Sequence, residues 1–183
     1  MVRAFRDDPV PDEVLDRVIG AALRAPSAGN TQALDVVVLC DPAETARYWS
    51  TTLADPSEFR WQGLLGAPVL AIVVVSPDSY AARYAEPDKA STGLGAVDAW
   101  PVPYWWVDGG MAVENVLLAC VAEGLGACFF GLFEHERAVL DAFGVPADRR
   151  AIGTVAMGWP ADDQAGRSAR RARREDAVHR GGW

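Results

Sequence analysis

Cysteine and histidine are scarce in this chain of 183 residues, which carries three of the former and two of the latter. Cys40, Cys120 and Cys128 are odd in number, sit in apolar surroundings and show neither CxxC nor Cys/His spacing. That pattern argues against a disulfide framework and a zinc site, so core thiols are expected and no metal is. His135 and His179 fall in no nucleophile or metal motif. No apolar run approaches the roughly 20 residues needed to cross a bilayer; the longest spans residues 67–75. No charged segment followed by an apolar one opens the chain, and the expected setting is soluble and cytoplasmic, without a membrane partner. GxGxxG and Walker-type phosphate loops are missing too, so a nicotinamide nucleotide is expected to visit rather than to have a domain of its own. Repeats and low-complexity segments are not seen.

Half of the residues are hydrophobic, enough for a real core, and the length fits a single domain over residues 1–183. The net charge of −8 is unevenly spread, because Arg167, Arg170, Arg171, Arg173, Arg174 and Arg180 crowd the carboxyl terminus. The acidic body would repel a nucleic-acid duplex, and no helix-turn-helix or aromatic-interleaved RNA motif accompanies the basic arm at 165–183, so no nucleic-acid partner is expected. A solvated arm, a phosphate-bearing ligand and a partner subunit remain its three readings.

Residues 11–24 place Val14, Leu15, Val18, Ile19 and Ala22 at helical spacing, with Asp12 and Glu13 in the first turn, where the helix dipole favours carboxylates. Residues 35–40 read as a buried β-branched strand. Between them lie Ala25-Pro-Ser-Ala-Gly-Asn-Thr-Gln32, rich in amides and hydroxyls, which is either an ordinary polar turn or an address for a polar ligand. Further on, Asp41 caps a helix over 42–53 with Pro42 at its first position, and 68–75 is a continuous apolar run. Residues 108–123 form a long amphipathic helix closed by Gly124, and 151–157 a strand. This alternation predicts an α+β or α/β domain. Residues 85–106, with Trp100, Tyr104, Trp105 and Trp106 among Pro101 and Pro103, are long and irregular for a connection. Their aromatics either stack on a planar ligand as a lid or cover a core edge or interface.

Taken together, Arg3-Ala-Phe5, Ala25-Pro-Ser-Ala-Gly-Asn-Thr-Gln32, Ala112-Val-Glu-Asn-Val-Leu-Leu118, Gly124-Leu-Gly-Ala-Cys-Phe-Phe-Gly131, Phe143-Gly-Val-Pro146, Met157-Gly-Trp-Pro160 and Val178-His179 resemble, in order and spacing, the nitroreductase family of flavin enzymes. The resemblance implies an α+β fold with a central mixed, mainly antiparallel sheet flanked by helices. It also implies an intertwined homodimer with a carboxyl-terminal extension and FMN at the subunit interface. On that resemblance Pro26, Ser27 and Ala28 of one subunit flank the isoalloxazine, and Asn30 and Gln32 brace the loop or approach the ring. Phe130 and Gly131 present main-chain amides to the flavin. Arg171 and Arg173, with Arg170, bind its phosphate together with Arg3, and Trp100, Tyr104 and Trp105 form the substrate lid.

The implied activity is hydride transfer from NADH or NADPH through flavin N5 to a small planar acceptor, a nitroaromatic or a quinone, by a ping-pong mechanism. No side-chain acid or base is required, and none is nominated. Two departures stand out. The paired arginines that family members carry ahead of the position of Val2 have no counterpart, which leads to the expectation of a truncated start. Ala33-Leu34 replaces a Pro-Trp pair, and Arg60-Trp61-Gln62-Gly63 replaces polar flavin contacts; Arg60 and Gln62 are either donors to the pyrimidine edge or ordinary surface residues. The alternatives to the reductase are a flavin-binding or flavin-storing protein without turnover, another flavin reaction on the same fold (peptide or azoline dehydrogenation, dehalogenation, flavin breakdown), and a cofactor-free interaction protein.

Overall fold

The computed structural model describes residues 1–161, 172, 174 and 176–182. Its centre is a sheet of four strands in the order β1-β2-β4-β3: β1 Leu34–Leu39, β2 Val69–Val75, β3 Gly126–Phe130 and β4 Arg150–Gly158. All three pairings among the described residues are antiparallel, and with helices on both faces this is the α+β fold with a mainly antiparallel sheet that the resemblance implied. Strand β2 is buried along its whole length, as its unbroken apolar sequence requires. Side chains alternate across a strand, and β2 divides accordingly. Val69, Ala71 and Val73 join Leu15 and Val18 of helix α1 (Asp12–Ala22) and Val113, Val116 and Cys120 of helix α5 (Tyr104–Ala122). Leu70, Ile72 and Val74 face the other way, toward Tyr48 and Trp49 of helix α2 (Pro42–Thr52), Leu64 of helix α3 (Gln62–Leu65) and Leu140 of helix α6 (Glu136–Ala142).

Helix α2 starts where its sequence says it should. Asp41 Oδ1 accepts from the Ala43 amide at 2.7 Å, and Glu44 returns the bond to the Asp41 amide at 3.2 Å. Helix α5 begins at Tyr104, four residues before its expected start, so the irregular segment of 85–106 ends at Pro103. That segment follows helix α4 (Pro77–Tyr84) and contains short 3₁₀ turns at Ala90–Thr92 and Val97–Ala99. Cys120 and Cys128 are core thiols as expected, but Cys40 is exposed at the end of β1, where the strand has run past the sheet. No described helix is long and apolar enough to cross a membrane.

The amino-terminal segment runs beside β3. The Val2 amide donates to Ala127 O at 2.9 Å and the Arg6 amide to Trp159 O at 2.9 Å, which holds Arg3 beside Cys128. On α6, Glu136 accepts from Arg150 Nε at 2.8 Å, from Nη2 at 3.1 Å and from the Ala151 amide at 2.9 Å, tying α6 to the start of β4. The Arg150 hydrogen bonds hold the Glu136 carboxyl below its ordinary value near 4.5, against partial burial. A depressed folded pKa means the contribution is complete above the ordinary pKa and lost as pH falls through the folded one. Glu136→Gln should therefore cost about 1 kcal/mol in urea unfolding at pH 7, and the variant and parent should converge as pH is lowered. A gap that stays constant with pH would show that the charge of Glu136 is not what holds α6.

Candidate functional site

The loop between α1 and β1 is shaped by backbone conformations that side chains rarely adopt. Gly29, Asn30 and Gln32 all have positive φ, at 63°, 54° and 52°. Left-handed Asn is tolerated and Gly is free there, but Gln32 must be held by its surroundings. Its amide donates to Ser27 Oγ at 3.0 Å, and its Nε2 donates to Asn30 Oδ1 at 2.9 Å. Asn30 and Gln32 therefore brace each other. Gly29 is also required sterically, because a Cβ there would lie 2.7 Å from Tyr84 Cε2. Arg83 Nε donates to Gly29 O at 3.0 Å, so α4 grips the loop from outside.

From inside, the grip is a buried carboxyl. Asp108 on α5 is 4% exposed, and its Oδ2 accepts from the Ala28 amide at 2.7 Å and from the Tyr80 hydroxyl at 2.8 Å. Burial first, and then the Asp108 carboxylate, push the Tyr80 hydroxyl well above its ordinary pKa and keep it a donor. Gly109 makes this possible, since a Cβ at that position would collide with Ile152 and force α5 off the sheet. Asp108 and Tyr80 were not singled out in the sequence. An acid inside the otherwise apolar stretch from Trp105 to Val113 was the available signal, masked by its apparent place at a helix start, where acids are ordinary.

The expected site residues fall into two groups within one chain. Pro26, Ser27 and Gln32 line a cavity of about 200 Å³ with Tyr80 and Asp108. Arg3, Phe130 and Gly131 line another, of about 340 Å³, together with Trp49, Phe59 and Trp61, and the wall continues from Leu132 to His135. The two share no lining residue. The larger cavity is aromatic: Trp49 stacks on Phe130 with centroids 5.8 Å apart, and Phe59 meets both Trp49 and Trp61. Arg3 lies over the Trp61 ring at 5.8 Å. Phe133, 82% exposed and at φ 47°, packs against Gly131 at the wall. Burial pushes the Cys128 thiol up, with Arg3 opposing it, and burial raises the Tyr48 hydroxyl. Both shifts favour the uncharged form and lead away from neutral pH, unlike those of a working acid–base group.

The remaining candidates are placed differently. Trp100 and Trp105 are buried around Tyr80, with ring centroids 5.9 to 6.1 Å apart, and Trp100 Nε1 donates to Leu94 O at 3.0 Å. They close the end of the sheet instead of standing over open space, because Tyr80, Val75 and Ala33 offer them a dry surface. Tyr104 and Trp106 stay exposed on the first turn of α5. Gln62 Nε2 is committed to the carbonyls of Pro56, Ser57 and Phe59, at 2.8, 3.1 and 2.7 Å, so it serves its own loop; the Arg60 guanidinium lies over Trp61 at 5.6 Å. Arg170, Arg171 and Arg173 lie outside the described residues.

Asp108→Ala leaves the Ala28 amide and the Tyr80 hydroxyl without their acceptor, at an expected cost of about 3 kcal/mol. Amide exchange should accelerate at Ala28 and the neighbouring loop positions before it does in β2. A variant as stable as the parent, with unchanged exchange at Ala28, would mean that the loop is held by Arg83 and its own internal bonds.

The Nitroreductase family model matches residues 1–159. A protein of Archaeoglobus fulgidus with a provisional NADH dehydrogenase/NAD(P)H nitroreductase name is 26% identical over 185 residues, spanning 100% of this chain and 92% of its own. The 5,6-dimethylbenzimidazole synthase of Rhodospirillum rubrum is 25% identical over 177 residues, spanning 88% of this chain and 78% of its own. Among solved structures, an FMN-dependent nitroreductase of Clostridium difficile R20291 has a TM-score of 0.69 at 17% identity, over 100% of this chain and 94% of its own, a likeness of fold. With the family model spanning the sheet, the braced loop and the aromatic cavity alike, this chain belongs to the nitroreductase family.

Proposed function

We propose that the protein is an FMN-dependent oxidoreductase that uses NADH or NADPH to reduce a small planar acceptor, a nitroaromatic or a quinone, at a site assembled from two copies of the chain. The observation that carries this reading is the cavity of about 340 Å³ at the end of β3, where the Phe130–Gly131 main chain and Arg3 meet walls of Trp49, Phe59 and Trp61. Its volume falls within the range of about 300–1,000 Å³ of small-molecule sites. The donor set fits a flavin: aromatic walls suit a planar ring, neutral main-chain groups suit its rim, and a cation suits its phosphate.

Bound FMN supplies hydride transfer through N5, from a nicotinamide to an acceptor that visits the same pocket afterwards. The work of this chain's residues is binding and orientation. Phe130 and Gly131 would offer amides to the ring edge, while Arg171, Arg173 and Arg170 would join Arg3 on the phosphate. Pro26, Ser27 and Ala28 would come from the partner subunit, on a loop already fixed by Asp108, Asn30 and Gln32. That one chain sets these groups on separate cavities supports a shared site. So does the apolar surface that α5 leaves exposed at Val107, Leu118 and Val121, with Leu23 at the end of α1. Burial keeps Cys128 and Tyr48 protonated, in keeping with a reaction that needs no side-chain base. A second reading, a different reaction on the same fold, is supported by the Rhodospirillum rubrum relative, which is named as a synthase and not as a reductase.

The test is the visible spectrum of the dimer after addition of FMN and desalting, followed by NADH or NADPH without oxygen and then a quinone. A retained flavin band that bleaches with the nicotinamide and returns with the quinone is the expected result. Retention without bleaching would favour the second reading, and a colourless protein would overturn both. Reversing Arg171 and Arg173 to Glu should weaken FMN binding at least tenfold, as read by flavin fluorescence titration.

A further inference from the structure

The smaller cavity, of about 200 Å³, lies inside the loop between α1 and β1 and is lined by both of its arms, Ala25 to Ser27 and Gln32 to Leu34. Leu23, Pro26 and Gln32 on its lining are exposed, whereas Tyr80 and Asp108 are 1% and 4% exposed, so the hollow deepens from its rim toward the Asp108 carboxyl. The two oxygens of that carboxyl are used unequally. Oδ2 takes both the Ala28 amide and the Tyr80 hydroxyl, and Oδ1 takes no hydrogen bond among the described residues. Yet Oδ1 is not sealed in. Among the described residues the side-chain polar atom both shut off from solvent and unpartnered is Trp49 Nε1, on the other face of the sheet. Water therefore reaches Oδ1, on a residue that lines the hollow.

The charge has no partner either. No ion pair among the described residues includes Asp108. Arg83, the guanidinium that grips the same loop, is committed to Gly29 O, Glu86 and Asp88. Buried carboxylates are ordinarily matched by a cation, because neutral donors only partly replace the water they have lost.

We infer that this hollow is a binding site for a small organic cation, whose amidinium or ammonium group donates to Asp108 Oδ1 while its apolar body lies against Ala22, Ala25, Ala33 and Leu34. The volume is below the range of about 300–1,000 Å³ of drug-sized sites, so the occupant is small, about one ring. A charged N–H group and a carboxylate make a short bond roughly twice as strong as a neutral pair, and more so where water is scarce. The carboxyl that meets the cation is also the one that holds the Ala28 amide, so filling the hollow and ordering the loop are coupled. The flavin reading is not needed for this site, which shares no lining residue with the aromatic cavity.

The probe is benzamidine, a flat one-ring cation, with benzamide as its neutral counterpart, each titrated into the 15N-labelled protein without flavin. Benzamidine should move the Ala28 and Ala33 amides saturably and slow exchange at Ala28, and benzamide should bind at least tenfold more weakly. Asp108→Asn keeps one oxygen for Ala28 and Tyr80 and puts an NH2 group in place of the other. It should lose benzamidine affinity at least tenfold while its Ala28 amide stays protected. Equal binding of the two probes, or of benzamidine by parent and variant, would overturn the inference. So would the absence of any saturable shift, which would leave the hollow to water alone. Should the variant not fold, the two probes on the parent decide. No outcome touches the flavin reading, whose own test is the spectrum with FMN.

Discussion

Strand β2 has no side that faces water: every residue from Val69 to Val75 is buried. Such a strand must be covered twice, and each cover recruits its own helices, α1 and α5 on one face and α2, α3 and α6 on the other. The groups proposed for the site sit on elements already placed by that demand. Asp108 rides on α5 and Trp49 on α2. The braced loop is the link from α1 into β1, and Phe130 and Gly131 continue a strand registered against β4. The site is thus a by-product of covering one strand, and its precision is inherited from the core.

Charge is distributed with the same economy. Among the described residues, the buried polar or charged side chains are Ser76, Asp108 and Thr154, and each is hydrogen-bonded. Asp108 holds a backbone amide and a phenol that would otherwise be stranded. Arginines stay toward the surface, where Arg150 meets Glu136 and Arg17 meets Glu123. What remains for the larger cavity is an aromatic lining with charge confined to Arg3 and Glu134 on its wall, a setting that suits a planar ring.

Much of this was legible in the sequence where a local rule and the tertiary fold agreed. The apolar run of 68–75, the Asp41 cap and the helical spacing of Val14, Leu15, Val18, Ile19 and Ala22 each became the element they predicted. The start of α5 was missed because Tyr104, Trp105 and Trp106 read as loop aromatics, whereas helical spacing lets Trp105 reach Tyr80 and Asp108 reach Ala28. Gln62 was legible as a polar residue but not as one spent on three carbonyls of its own loop. The pairing of Asp108 with Ala28 spans 80 positions, and no periodicity reports a contact of that range. The orphaned nitrogen of Trp49 is likewise a property of packing, invisible until Phe130 and Phe59 are seen to hold the ring.

The stretch between α4 and α5 is fastened at a few points: Arg83 grips Asp88, Leu94 and Val97 pack beside the Tyr80–Trp100–Trp105 cluster, and Leu94 O accepts from Trp100 Nε1. Tyr84 packs on Trp100 at 4.6 Å, Trp100 and Trp105 are sunk beside Tyr80, and most of what lies between is exposed. The exposed lengths between these anchors behave as interchangeable cassettes. Doubling the length of one would add only about 0.6 kcal/mol of closure entropy, and neither β2 nor the loop held by Asp108 would register the change. Descendants of such a chain are free to acquire new surfaces over the same scaffold by insertion alone, with the fold insulated from the experiment.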